Sequence, residues 1–239
     1  MVTRAEFQGE NQLLAALSAS DYSLLSPHLK EVRIEQGSVL QDHGERIQYV
    51  HFPLSGMISL LSVMRDGKAV ETAVVGREGA LGAHCALGIW HAYSRAVVQI
   101  SGRAVRIAGV QFQKLVRDSE RMGDLFVRYR ELRLAQTQQS AACNALHGAE
   151  SRLSRWLLQT SDVIGAGVVP LTQEFLSQML GVQRTTVTAI ARTLQEAGMI
   201  HYTRGRIEIS DREKLETSAC ECYEVLRRQP AQILFRPKR

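Results

Sequence analysis

The chain has 239 residues, 45% of them apolar and 22% charged, with a formal net charge of +5. That size and balance suit one large folded domain or two ordinary ones and exclude wholesale disorder. No apolar run reaches the roughly 18–20 residues that a membrane span needs, and Met1 to Glu10 lacks the apolar stretch of a secretory leader, so the expected compartment is the cytoplasm, with no membrane partner.

The first segment, Gln12 to Leu29, repeats Leu13, Leu14, Leu17, Leu24 and Leu25 at helical spacing, with Ser20 or Asp21 as a cap for a second short helix. Residues 31–108 change character. Val32–Ile34, Tyr49–Phe52, Met57–Val63 and Val70–Val75 are short apolar runs bounded by Gly37, Gly44, Gly56, Gly67 and Gly76. Asp66-Gly67 between two such runs predicts a two-residue hairpin, and Ser101-Gly102 between Val97–Ile100 and Ala104–Ile107 carries the same signal. The expectation is an antiparallel β-roll of about eight strands.

From Gln111 to His147 proline is absent and Gly123 is the only glycine. The period becomes helical, with Met122, Leu125, Phe126, Tyr129, Leu132, Gln136 and Cys143 on one stripe, predicting one long helix or two joined near Gly123. A helix of that length exceeds what a small domain usually buries alone. The stripe is therefore the expected dimerisation seam, against the alternative of a helix lying along its own β-roll. A shorter helix follows over Glu150 to Gln159, and Gly165-Ala-Gly167 reads as a loop. These boundaries divide the chain into residues 1–115, 116–147 and 148–239.

Charge sharpens the division. Residues 1–110 hold ten cations and ten acids, residues 111–147 six and four, and residues 148–239 thirteen and ten. The excess sits in the C-terminal half, as a polyanion-binding surface requires.

Residues 170–198 read as two helices joined by a tight turn. Thr172 is a capping candidate and Phe175 to Leu180 form the first helix. Gly181 occupies the turn, and Arg184 to Ala197 form the second helix, ended by Gly198. Val187, Ile190, Ala191 and Leu194 face inward. Gln183, Arg184, Thr185, Thr186 and Thr188 face outward at the helix N-terminus, where a helix-turn-helix reads base edges. Arginine can bond guanine O6 and N7 together, and threonine offers a hydroxyl and a methyl. Arg192, two turns further along, suits a phosphate. Beyond lie two short alternating runs around Arg204-Gly205-Arg206, a hairpin wing with Arg204 and Arg206 at its tip. Asp211–Arg228 reads as a further helix, with Pro230 and Pro237 marking a less ordered basic end.

The order β-roll, long helix, winged helix-turn-helix resembles the Crp/Fnr family of bacterial transcription regulators over about residues 12–215. The resemblance implies an α+β fold whose N-terminal antiparallel β-roll is like a cyclic-nucleotide-binding domain. It also implies a homodimer paired through the long helix and bound to palindromic sites on double-stranded DNA, with RNA polymerase as a partner if the protein activates. Whether a small-molecule effector acts is left open. Nucleotide-binding members carry a Gly-Glu-Leu-like loop followed by Arg-Ser or Arg-Thr. Here Gly79-Ala80-Leu81-Gly82 places alanine at the acid and Ser94-Arg95-Ala96 lacks the hydroxyl. Glu78 and Arg95 are what remain as effector-binding candidates, so the expected regulator works without cyclic AMP, the alternative being a cyclic-nucleotide-responsive one. The recognition helix departs too, with Thr185 and Ala189 where many members have glutamate and a second arginine.

Four cysteines, Cys85, Cys143, Cys220 and Cys222, are too scattered for a disulfide scaffold, and the absence of an N-terminal group excludes the iron–sulfur mechanism of oxygen-sensing members. Residues two apart on a helix diverge, so Cys220 and Cys222 are expected to be reduced thiols rather than joint metal ligands. A haem role would call on His84, His91 or Cys85. A cupin-like metal enzyme, the distant alternative, would need an H-x-H pattern that the seven histidines do not form. The expectation is no enzyme, no catalytic residue, no metal and no cofactor.

Overall fold

A computed structural model describes residues 6–171, 173–203 and 205–234. They divide into two compact units. The first runs through Leu60 and takes in Ala73–Ala135 and the chain from Gln229 on; the second combines Leu61–Thr72 with Gln136–Arg228.

The N-terminal unit opens with three short helices, α1 (Glu6–Glu10), α2 (Gln12–Ala15) and α3 (Ala19–Leu25). Asn11 is fully buried and caps α2 by accepting the Leu13 and Leu14 amides, while its own amide donates to Pro53 O and Gly79 O at 2.9 and 3.0 Å. One side chain therefore both starts the helix and ties it to the strands. Ser18, not Ser20 or Asp21, caps α3, since its hydroxyl accepts the Asp21 amide.

Seven strands follow among the described residues, slightly fewer than expected: β1 (Lys30–Ile34), β2 (Val39–Gln41), β3 (Tyr49–Pro53), β4 (Met57–Val63), β5 (Ala69–Val75), β6 (Arg95–Ile100) and β7 (Gly102–Ala108). They form two sheets of order β1-β7-β3 and β2-β6-β4-β5. The β4–β5 hairpin exists, but not with a two-residue turn. The Gly67 amide bonds Met64 O and the Met64 amide bonds Lys68 O, with only Gly67 left-handed at φ +83°. Asp66 keeps an ordinary negative φ, so the loop has three residues and ends in a glycine bulge.

The expectation at Ser101-Gly102 fails more deeply, because β6 and β7 lie in different sheets. The chain crosses between them there, and it does so at very close range. A Cβ on Gly102 would sit 2.3 Å from Ser55 O, and one on Gly56 would sit 2.5 Å from Ile100 O. The glycine marks a backbone crossing, not a hairpin.

The helical stretch breaks at Asp118-Ser119 rather than near Gly123, giving α4 (Gly109–Arg117) and α5 (Glu120–Leu146). Ser119 supplies the start, accepting the Gly123 amide on its carbonyl and the Met122 amide on its hydroxyl. The residues of the expected dimerisation stripe are covered within the chain itself. Met122, Leu125, Phe126, Tyr129 and Leu132 are all buried in this unit's own core, with Phe126 edge-on to Phe112 at 4.8 Å and Phe112 in turn edge-on to Phe52. The β-roll provides the apolar surface that covers this face of the helix, as in the intrachain alternative. The remaining two, Gln136 and Cys143, are buried as well and belong to the second unit.

The second unit continues with α6 (Ala149–Ile164), longer than predicted, and β8 (Val168–Val169), too short for any periodicity to reveal. Then come α7 (Gln173–Leu180), α8 (Arg184–Glu196), β9 (Ile200–Thr203), β10 (Arg206–Ile209), α9 (Arg212–Ser218) and α10 (Cys222–Leu234). The C-terminal helix predicted over Asp211–Arg228 is thus two helices, and the second runs through Pro230 to Leu234, which is buried in the N-terminal unit's core. Arg236 and the basic end lie outside the described residues.

The cysteine pair differs most from expectation. Cys220 and Cys222 occupy the α9–α10 junction, where Ala219 is extended (φ −73°, ψ 151°), so the helical divergence of residues two apart does not apply. Their sulfurs come together with Cys143 near the end of α5: Cys143 Sγ lies 3.5 Å from Cys220 Sγ, in a buried cluster of three. The hydrogen bond from Cys220 draws the Cys143 thiol well below its ordinary range against the effect of burial, with the Arg155 cation adding to it.

Candidate DNA-binding site

The two helices are punctuated by the same device at each end. At the end of α7 the Val182 amide bonds Ser177 O and the Gly181 amide bonds Gln178 O, with Gly181 left-handed at φ +62°. At the end of α8 the Met199 amide bonds Leu194 O and the Gly198 amide bonds Gln195 O, with Gly198 at φ +72°. Both are Schellman closures, which use the last carbonyls of a helix and turn the chain sharply. The first sets α8 against α7; the second feeds directly into β9.

Helix α8 is two-faced. Val187, Ala191 and Leu194 are buried, and Ile190 is half-buried at the edge of that face. Gln183, Arg184, Thr185, Thr186 and Thr188 are all exposed. Gln183 is the N-cap but makes no side-chain cap bond, so the first amides of the helix are not covered by it. A helix start without a side-chain cap, at the positive end of the helix dipole, attracts anions at the point where Arg184 adds a full charge. Thr188 Oγ1 donates back to Arg184 O at 3.0 Å. Arg192 is exposed and paired with Glu196 at 2.7 Å, an i,i+4 surface pair that contributes little and is readily exchanged for another anion.

The wing is a three-stranded sheet of order β8-β10-β9. Arg206 pairs with Thr203 in register and is exposed; Gly205 makes the turn at φ +78°. Leu171 is held to the wing through its amide and Gly205 O at 2.9 Å. Gln195 Oε1, on the last turn of α8, accepts the Tyr202 amide at 2.8 Å and fixes the wing to the helix. Thr172 and Arg204 lie outside the described residues. Sequence reasoning missed β8 and this Gln195 tie, neither of which leaves a pattern in the chain.

In the same unit, Arg212 bonds Asp162 and Tyr223 at 2.8 and 2.6 Å, and Tyr223 donates to Asp162 at 2.7 Å, so α6, α9 and α10 are locked by one shared carboxylate. Trp156 is buried and donates to Glu71 at 2.7 Å, which joins the β4–β5 tip to α6 within the same unit.

In the N-terminal unit the two effector candidates have separate partners. Arg95 closes on Asp42 with three hydrogen bonds, the shortest 2.6 Å, and this partner holds the Asp42 carboxyl below its usual range. Glu78 accepts the Gly76 amide at 2.9 Å. A cleft of about 350 Å³ lined by Leu40, Gln41, Arg46 and Tyr49 includes neither.

Residues 151–218 match the family model of the Crp-like helix-turn-helix domain. No curated protein matches the chain. Several solved structures share its fold. FixK2 from Bradyrhizobium japonicum superposes on 80% of this chain and 98% of its own with a TM-score of 0.70 and 15% identity. The c-di-GMP-responsive global regulator CLP of Xanthomonas campestris does so over 81% and 100%, with a TM-score of 0.67 and 16% identity. A protein from Eubacterium rectale assigned to the Crp/Fnr family covers 88% of this chain and 98% of its own at a TM-score of 0.70 and 16% identity. Residues 151–218 are a Crp-like helix-turn-helix domain, and the chain that carries it has the fold of the Crp/Fnr transcription regulators.

Proposed function

We propose that this chain is a transcription regulator that binds double-stranded DNA sequence-specifically as a homodimer on palindromic sites, and that it does so without cyclic AMP. One observation carries the reading. The N-terminal end of α8 presents Gln183, Arg184, Thr185 and Thr186 to solvent, all exposed, while the opposite face anchors the helix to its domain. That end would enter the major groove, with Arg184 reading a base and Arg192, Arg206 and Arg204 meeting phosphates. Thr172, which lies outside the described residues, completes the proposed set of DNA-contacting residues.

The proposed dimer uses the outward face of α5. Val127 and Leu134, seven residues apart, are 47% and 48% exposed, and Ala141 follows at the same interval. A heptad-spaced apolar line on a long exposed helix is what a coiled-coil seam needs. Independence from cyclic AMP rests on Ala80, which offers no carboxylate, and on Arg95, which Asp42 already engages. RNA polymerase is the further partner if the protein activates.

Selection of bound sequences from random duplex DNA tests the reading. A palindrome with half-site centres about 10 bp apart, enriched without added nucleotide, is expected. Enrichment that requires cyclic AMP would overturn the effector assignment, and no enrichment under either condition would overturn the DNA-binding one.

A further inference from the structure

Four potential ligands converge in the C-terminal unit, none of them among the residues of the proposed DNA-contacting set. Cys143, His147, Cys220 and Cys222 each offer one donor atom, and these atoms all lie within 4.8 Å of one another. The three cysteines are buried and His147 is half-buried. Cys143 and His147 are one helical turn apart and share a face of α5 and its exit; Cys220 and Cys222 come from the α9–α10 junction.

We propose that this cluster is a binding site for a single zinc ion, ligated by the three thiolates and by Nδ1 of His147. The edges fit. A tetrahedral ion with Zn–S of about 2.3 Å and Zn–N of about 2.0–2.1 Å sets S···S near 3.8 Å and S···N near 3.6 Å. The structure has Cys143 Sγ to Cys220 Sγ at 3.5 Å and Cys222 Sγ to His147 Nδ1 at 3.6 Å. A multinuclear iron–sulfur cluster would hold its cysteines further apart than these atoms stand.

The groups around the ligands are those a thiolate-bound cation recruits. His147 turns Nε2 to Glu221 Oε1 at 3.2 Å, leaving Nδ1 aimed inward, the arrangement by which a carboxylate orients a metal-bound imidazole. Gln139 donates its amide to Cys222 Sγ at 3.0 Å. Three thiolates and one divalent ion leave one negative charge, and two buried guanidiniums stand near it. Arg152 and Arg155 are near enough to feel the cysteine sulfurs electrostatically, while their side chains donate to neutral oxygens of Asn144, Leu180 and Gln159. Buried cations of this kind need a nearby anion, and the proposed complex is one. Zinc here would clip the end of α5 to the start of α10, closing a loop of more than seventy residues that contains the whole helix-turn-helix.

The full-length protein, expressed and purified without an affinity metal, is first analysed by elemental mass spectrometry. About one zinc per chain is expected. Cobalt exchanged into the same protein should show thiolate-to-cobalt charge transfer and the intense visible bands of a tetrahedral ion. C222S and H147A should lose the metal. E221Q touches no ligand atom directly; it should leave the fold intact by circular dichroism and weaken zinc binding about 10- to 100-fold. A folded chain that retains neither zinc nor cobalt would overturn the proposal, as would an octahedral cobalt spectrum or a Cys143–Cys220 disulfide in protein isolated under reducing conditions. Metal content is read without DNA, so its result and that of the DNA selection stand or fall separately.

Discussion

The hydroxyl of Tyr129 bonds both backbone groups of Ala80, accepting from its amide at 2.8 Å and donating to its carbonyl at 2.9 Å. Tyr129 belongs to α5 and Ala80 to the loop that follows β5. The approach is close enough that a Cβ on Gly79 would collide with the hydroxyl at 2.4 Å, so the glycine and the tyrosine specify one another. The pair seals the loop against the long helix and uses the polar atoms that a bound ligand would otherwise find free.

Tyr129→Phe keeps the ring and removes both bonds. Two buried backbone groups are then unpaired, and a loss of about 1–3 kcal/mol is expected. Urea unfolding should show a lower midpoint with an unchanged slope. Calorimetry with cyclic AMP should show no binding to either protein. A variant as stable as the parent would mean that water or a shifted loop satisfies Ala80 equally well.

His51 sets a pH dependence. It is buried on β3 beside Arg106, its Nδ1 has no partner, and burial first and the arginine second push its pKa down to about 4. The unfolded chain binds this proton below about 6.5 while the folded chain refuses it until about 4. The unfolded state therefore gains as pH falls through that window, and the stability held above it is lost, by about 3 kcal/mol for this residue at most. His84, also lowered by burial, acts in the same direction. Unfolding free energies of the parent and of His51→Gln should diverge between pH 7 and pH 4, with the variant the flatter. Parallel curves would assign the acid sensitivity to other groups.

The outward face of α5 makes the third prediction. Val127→Asp with Leu134→Asp should convert the proposed dimer to a monomer that is still folded, read by light scattering and circular dichroism. Phe126→Asp should instead unfold the N-terminal unit, since the side chain is buried in its core and truncation alone at such a site costs about 3–5 kcal/mol. Loss of the dimer from Phe126→Asp with native circular dichroism would return the seam to the inward stripe.

These contrasts show what a sequence can carry. The fold class was legible because period and punctuation are local: glycines bracket strands, and Gly181 and Gly198 close helices through backbone bonds a few residues long. What was not legible depends on atoms distant in the chain. Asp66-Gly67 and Ser101-Gly102 carry the same dipeptide signal, yet one ends a hairpin and the other crosses between sheets, because Ser55 and Gly56 approach the second from outside. The apolar stripe of α5 says that something covers it, not which surface does. The exposed face of α8 was readable from Gln183 to Thr188 because burial follows the helical period through Val187, Ala191 and Leu194. The cysteine cluster was not, because Cys143 and Cys220 are 77 residues apart and only the fold joins them.

The last prediction separates reading from holding. Arg184 stands at the exposed start of α8, and Arg206 on the wing, joined to α8 through the Gln195–Tyr202 bond. If α8 lies in the major groove, Arg184→Ala should cost about 1–3 kcal/mol on the selected site and relax preference at one position in each half-site. Arg206→Ala should weaken selected and random DNA alike and reduce the salt slope by about one unit per site contacted. Arg192→Ala should resemble Arg206→Ala, with a smaller loss because its release from Glu196 costs part of what the phosphate returns. Fluorescence anisotropy across a salt series on both DNAs resolves the three. An Arg184→Ala protein with unaltered sequence preference would show that a different edge of the domain reads the bases.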